Sequence, residues 1–204
     1  MSALVLASAS PRRKELLKEL LNELLGGLGV DFEVLPAEGE EVLPEGLPPR
    51  EAALELALQK GEEVAALRPA SWVLSADTVV VIDGAVLGKP ADGAEALLML
   101  TRLSGRTHTV ITAFCLLNLA RGVSRCEAVE TAVTFRRVPE AELAAYAATP
   151  EPLDKAGAYA IQGGAAAFVT NVAGSYSNVV GLPVERLAEV LREEGIMPGT
   201  AERG

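Results

Sequence analysis

Two apolar segments, HTVITAFCLLNL at 108–119 and EAVETAVTFRRV at 127–138, bracket Arg121-Gly122. Their length and β-branched content predict two long strands joined by a tight connection, an antiparallel hairpin. A hairpin of this length cannot sit in a wholly parallel sheet, because parallel neighbours need crossover connections. The rest of the chain alternates strand and helix patterns. ALVLA (3–7) reads as a buried strand, and Ser10-Pro11 as an N-cap followed by proline at the first helical position. Leu16, Leu17, Leu20, Leu21, Leu24 and Leu25 make one apolar helical stripe, ended by the glycines of GGLG.

A second strand is expected at FEVL (32–35). A helix is expected over 49–67, with Leu54, Ala57, Leu58 and Val64 inward. A strand over 73–82 with a turn at Asp83-Gly84 follows, then helices over 92–103, 139–148 and 182–194. The fold expected is α/β, a mixed β-sheet flanked by helices. With 204 residues, half of them apolar, residues 1–195 are expected to form a single domain and 196–204 a frayed tail.

Function classes narrow quickly. No apolar run reaches the ~18–20 residues of a membrane span. The longest candidate, VITAFCLLNLA at 110–120, is short and carries Thr112 and Asn118. No secretory signal pattern opens the chain. Cys115 and Cys126 fit no zinc or redox spacing and read as buried, inert thiols, which places the protein in the reducing cytoplasm. The net charge of −10 argues against binding nucleic acid or an anionic membrane. It leaves open a small anion held by local cations.

Such a site is suggested by SASPRRKELL. Arg12, Arg13 and Lys14 occupy the first turn of a helix, where a cation opposes the macrodipole unless an anion binds there. Backbone N–H groups, a hydroxyl from Ser8 or Ser10, and guanidinium donors suit a phosphate. By itself the segment also reads as a solvated basic helix start. In SADTVVVIDGAVLGKPAD, Asp77 and Thr78 stand beside a strand and Lys89 on the turn after it. A carboxylate there can deprotonate a water or hold a cation, and a lysine can meet phosphate oxygens. Taken singly, Asp77 equally reads as a strand-end cap and Lys89 as a surface charge. No Walker A loop or G-x-G-x-x-G motif is present.

Glu40-Glu41, with Lys60 on the next helix, can complete a hard oxygen site, though loop glutamates are ordinarily solvated. DKAGAYAIQGGAAAFVTNVAGSYSNVVGLP (154–183) is Gly-rich, low in charge and rich in small polar groups, and reads as ligand-lining loops. His108, the only histidine, reads as a structural group with nothing paired to it.

Taken together, LVLASASPRRKELL, SADTVVVIDGAVLGKP, LSGRTHTVITAFCL, EPLDKAGAYAIQGGAAAFV and AGSYSNVVGLPVERLAEVL resemble the Maf family of nucleoside triphosphate pyrophosphatases, in order and over nearly the whole chain. The resemblance implies an elongated fold like that of the inosine triphosphate pyrophosphatases, with a substrate cleft. It implies hydrolysis of a nucleoside triphosphate to the monophosphate and pyrophosphate with a divalent cation, Mg²⁺ or Mn²⁺. The family's proton acceptor falls on Asp77, and its acidic-loop metal glutamate on Glu41. Its phosphate-binding cations fall on Arg12, Arg13, Lys60, Lys89 and Lys155. Positions tied to base choice fall on Arg12, Thr78 and Gln162.

The sequence departs from the family pattern at Gly61, at Glu40 and at ITAF, none of which removes a charged group. The neutral amide of Gln162 suits the N3–H and carbonyls of thymine or uracil, so dTTP and UTP are the expected substrates. The alternatives are a 7-methyl-GTP pyrophosphatase of the same family and a non-catalytic nucleotide-binding regulator of cell division. A homodimer is expected from the resemblance.

Overall fold

In the computed structural model, residues 4–26, 31–39 and 46–196 are described. The element order is β1 (Leu4–Leu6), α1 (Pro11–Leu24), β2 (Glu33–Val34), α2 (Pro49–Leu67), β3 (Trp72–Ile82), β4 (Ala85–Leu87) and α3 (Gly93–Leu103). Then come β5 (Thr107–Asn118), β6 (Val123–Phe135), α4 (Glu140–Ala147), β7 (Val169–Ala173), α5 (Tyr176–Val180) and α6 (Val184–Glu193). The sheet runs β2-β1-β3-β5-β6-β7, with β4 paired to β3 alone. β1 is parallel to both β2 and β3, and every other pairing is antiparallel. The mixed sheet flanked by helices is therefore the architecture expected. Glu40, Glu41 and residues 197–204, including nearly all of the expected tail, lie outside the described residues.

Alternation along β3 sorts its side chains onto two faces. Val73 and Val79 pack with Ala53, Ala57 and Val64 of α2. On the other face, Trp72, Leu74 and Ala76 pack beneath α1 and α6. Further along that face, Val80 and Ile82 pack with α3, α4 and the segment 156–168. Thr78 falls between these two apolar clusters. Its partner across the ladder, Thr112 of β5, falls between Val110 of one cluster and Phe114 of the other. A polar seam thus crosses this face of the sheet.

The edge of β3 is interrupted. β1 accompanies it only as far as Leu6↔Leu74, with one more bond from Ala7 N to Leu74 O at 2.8 Å. β4 takes over only at Val80↔Leu87, after the turn at Asp83-Gly84. Among the described residues, no strand covers residues 75–79 on that side. β1 ends where α1 must begin, because Ser10 caps the helix by accepting from Arg13 N and Pro11 fixes its first turn.

Several expectations change. Cys115 and Cys126 are a disulfide, not separate thiols. The hairpin register sets them directly opposite each other, with Cα atoms 4.1 Å apart. A motif search sees only short spacings and misses a pair made neighbours by folding. The 154–183 stretch is not wholly loop. It contains two 3₁₀ turns, at Ala156–Ala158 and Gly164–Phe168, but also strand β7 and helix α5. In α2 the buried stripe runs through Ala53, Leu56, Ala57, Val64 and Ala65, while Leu54 and Leu58 are half-buried. β6 begins at Val123, earlier than expected. His108 does have a partner: its Nε2 lies 2.8 Å from the Tyr159 hydroxyl.

Candidate active site

The interrupted edge of β3 opens into a cavity of about 790 Å³. Asp77 and Thr78 stand at its centre. Consecutive strand residues face opposite sides of a sheet, and here each side supplies its own partner. Asp77, 7% exposed, points to the α2 side, where Lys60 Nζ lies 2.5 Å from its Oδ1. Both side chains are largely removed from water, so this pair is screened far less than a surface ion pair. Lys60 is brought close by Gly61, where a Cβ would fall 2.7 Å from the Ser75 hydroxyl and from Leu117.

Thr78 points to the α1 side and meets Arg13. The guanidinium donates from Nε to Gly181 O at 2.8 Å, from Nη2 to Thr78 Oγ1 at 3.1 Å and from Nη1 to Ser8 Oγ at 3.4 Å. Ser8 Oγ also accepts from Ser10 N at 3.2 Å, which ties the β1–α1 loop to the same group. The basic first turn of α1 therefore opens onto the cavity, as its sequence suggested.

Lys89 and Lys155 also line the cavity. Gly157 N donates to Gly88 O at 3.0 Å, which joins their two turns. Gly157 has φ of +67°, and a Cβ there would lie 2.9 Å from the Val80 side chain, so only glycine lets the turns meet. Lys155 is ion-paired with Asp154. Ser8, Arg12, Arg13, Lys60, Asp77, Thr78, Lys89 and Lys155 all line one cavity. Five of these are cations, against three carboxylates that line it among the described residues: Asp77, Glu151 and Asp154. The cavity favours an anion although the chain as a whole is acidic.

Gln162 is the exception. It is exposed and does not line the cavity, whereas its neighbours Ala160 and Ile161 do. Two residues not anticipated from the sequence hold this turn. Ala160 N donates to the Tyr146 hydroxyl at 3.1 Å, and Gly164 N to Glu151 Oε2 at 2.8 Å. Burial, opposed by the hydrogen bond from Ala160 N and reinforced by the neighbouring Glu151 carboxylate, raises the Tyr146 phenol well above its ordinary pKa. A Cβ at Gly163 would sit 1.9 Å from Glu151 Oε1, so a side chain there would displace the Glu151 carboxylate. The Gly163-Gly164 pair was the one sequence signal that something packs closely against this turn.

Asp77 is the only described carboxylate on the β3 notch. Among the described residues, no group of three acidic, His or Cys side chains could cage a metal. Glu41 lies outside the described residues. A single carboxylate fits the way Mg²⁺ is commonly held, by one or two carboxylates together with substrate phosphates.

Comparison with known proteins agrees with this chemistry. The family described as Maf-like protein matches residues 3–194. A dTTP/UTP pyrophosphatase from Syntrophus aciditrophicus is 47% identical over 192 residues, covering 94% of this chain and 90% of the relative. One from Geobacter metallireducens is 47% identical, covering 96% and 98%. Another, from Anaeromyxobacter dehalogenans, is 48% identical and covers 94% of each. A solved structure titled "Crystal structure of protein VC0702 from Vibrio cholerae" aligns over 70% of this chain and 67% of that one. Its TM-score is 0.36 at 10% identity, too remote to bear on the site.

Proposed function

Because the chain belongs to the Maf family, we propose that it hydrolyses nucleoside triphosphates, dTTP and UTP foremost, to the monophosphate and pyrophosphate. The observation that carries this reading is that the Asp77 carboxylate, at the break in the β3 edge, shares one cavity with five cations. A triphosphate brings about four negative charges, which Arg12, Arg13, Lys60, Lys89 and Lys155 can balance.

In the proposed reaction Asp77 accepts the proton of a water as its oxygen bonds to the α-phosphorus. The bond from that phosphorus to the α–β bridging oxygen breaks, and pyrophosphate leaves with its electron pair. Lys60, ion-paired to Oδ1, holds the carboxylate at the notch. Arg13 and Lys89, both lining the cavity, bind and orient the phosphates so that attack and departure lie in line. Asp77, with Glu41 from the loop outside the described residues, would hold a divalent cation, which supplies charge neutralisation on the phosphate oxygens.

The base is proposed to lie against the wall formed by Ala160 and Ile161, with Gln162, Thr78 and Arg12 contributing to its choice. Residues 1–195 are proposed to act as one catalytic unit. No described helix is long and apolar enough to cross a membrane. We place the enzyme in the cytoplasm because nucleotides are its substrates, since the Cys115–Cys126 disulfide withdraws the thiol argument. Nucleic acid is not a proposed partner, given the acidic surface, and a homodimer is the proposed assembly.

Incubation with dTTP, UTP, CTP, GTP, ATP and 7-methyl-GTP plus Mg²⁺, with pyrophosphate and orthophosphate measured separately, tests the reading. Pyrophosphate from dTTP and UTP, abolished by EDTA and restored by Mg²⁺ or Mn²⁺, is expected. Preference for 7-methyl-GTP would reassign the substrate, and orthophosphate without pyrophosphate would reassign the reaction.

A further inference from the structure

We propose that Thr112, backed by Asn178, is a positioning residue that fixes the hydroxyl of Thr78 and through it the aim of Arg13. Thr112 is fully buried and does not line the cavity. Its Oγ1 lies 2.8 Å from the carbonyl oxygen of Asn178 and 2.9 Å from Thr78 Oγ1. A carbonyl only accepts, so the single proton of Thr112 goes to Asn178 O. The proton between the two threonines must then come from Thr78. Arg13 only donates, so the Thr78 oxygen receives Nη2 at 3.1 Å. The hydrogen bonds run one way, from Arg13 to Thr78 to Thr112 to the Asn178 carbonyl.

Both ends of this chain are anchored in one short segment. Asn178 is fully buried in α5, donates from its backbone N to Ser175 Oγ at 3.1 Å, and donates from Nδ2 to Val110 O and Thr131 Oγ1. Three residues later, Gly181 O takes Arg13 Nε at 2.8 Å. The guanidinium is thus held at two points referenced to the same few residues, through a seam between two apolar clusters. With its proton committed to Thr112, Thr78 offers the cavity an oxygen only. It cannot donate to a phosphate, which leaves the cations as the donors. What Arg13 does for catalysis rests on the pyrophosphatase reading, but how Arg13 is held does not.

Three variants test this. Thr112→Val keeps the shape and deletes the relay. Thr112→Ser keeps the hydroxyl. Ser104→Ala removes a half-buried hydroxyl that bonds only Val138, away from the cavity and from every link of the relay. All are compared at a temperature where circular dichroism shows each folded. kcat/KM on dTTP should fall at least tenfold in Thr112→Val and stay within threefold of wild type in the other two. Solvent exchange of the Arg13 Nε–H, followed by NMR on the isotope-labelled protein, should rise at least fivefold only in Thr112→Val. Unchanged exchange in Thr112→Val overturns the proposal, as does an equal loss of activity in Ser104→Ala. If the wild type hydrolyses no nucleotide, the pyrophosphatase reading fails and the Nε–H exchange alone decides the relay.

Discussion

Asp77 and Thr78 are adjacent on β3 and face opposite sides of the sheet, yet both line one cavity. Only at an interrupted edge can both faces of a strand reach one space. The Asp77 carboxylate is thereby held by Lys60 of α2, and the Arg13 guanidinium by the seam on the other face.

Asp77→Asn should reduce turnover by about 10²- to 10⁴-fold, the usual contribution of a positioned general base. The amide remains a partner for Lys60, so the fold should persist. Circular dichroism and pyrophosphate release measured on the same sample decide this, and a folded mutant with a third of wild-type activity sinks the role.

Arg13→Ala and Lys89→Ala should each lower kcat/KM by about 10- to 100-fold, equivalent to losing one charged hydrogen bond. Removing a cation from a helix start is ordinarily stabilising. Arg13 is different, because its loss leaves Gly181 O without its donor. Arg13→Ala should therefore be less stable than wild type, and a urea midpoint that rises instead would contradict the geometry.

Around the base, Gln162→Glu should narrow the preference for dTTP and UTP over GTP, because a carboxylate only accepts hydrogen bonds. Gly163→Ala is expected to act by displacement, since its Cβ strikes Glu151. It should cost no more than about 0.5–1.5 kcal/mol, the net worth of the exposed hydrogen bond from Gly164 N to Glu151, and should also raise KM. If kcat/KM ratios across the nucleotide panel are the same in both variants as in wild type, the 160–163 turn does not select the base.

His108 sets a pH dependence. Burial lowers its pKa from 6.5 to about 4. Between those values the unfolded chain binds more protons than the folded one, so stability rises with pH. The contribution is complete above about pH 6.5 and is lost as pH falls toward 4, on the order of 3 kcal/mol in all. His108→Gln should flatten that part of the profile relative to wild type. Parallel curves for the two proteins between pH 4 and 6.5 would falsify the assignment.

What could be read in advance divides along physical lines. Helices α1 and α6 and strand β3 carry their own periodicity, α1 its own cap at Ser10, and α2 a proline start at Pro49, so local sequence was enough. The cation cluster was legible because Arg12 and Arg13 sit where a helix start tolerates them poorly. Cys115 with Cys126, His108 with Tyr159, and Tyr146 with Ala160 join residues that only tertiary folding brings together. β7 and α5 stayed hidden because their glycine-rich setting has weak propensity and is ordered by packing and by caps such as Ser175.

The gap along β3 between Leu74 and Val80 has one more consequence. A strand edge presents main-chain amide and carbonyl groups as well as side chains, and at residues 75–79 β5 occupies only one side. Groups that belong to the peptide itself are the same whatever amino acid is encoded there. Any ligand contact made to that edge is beyond the reach of point mutation, save replacement by proline. Variation in such a pocket can retune which substrate is chosen far more readily than it can erase the docking place.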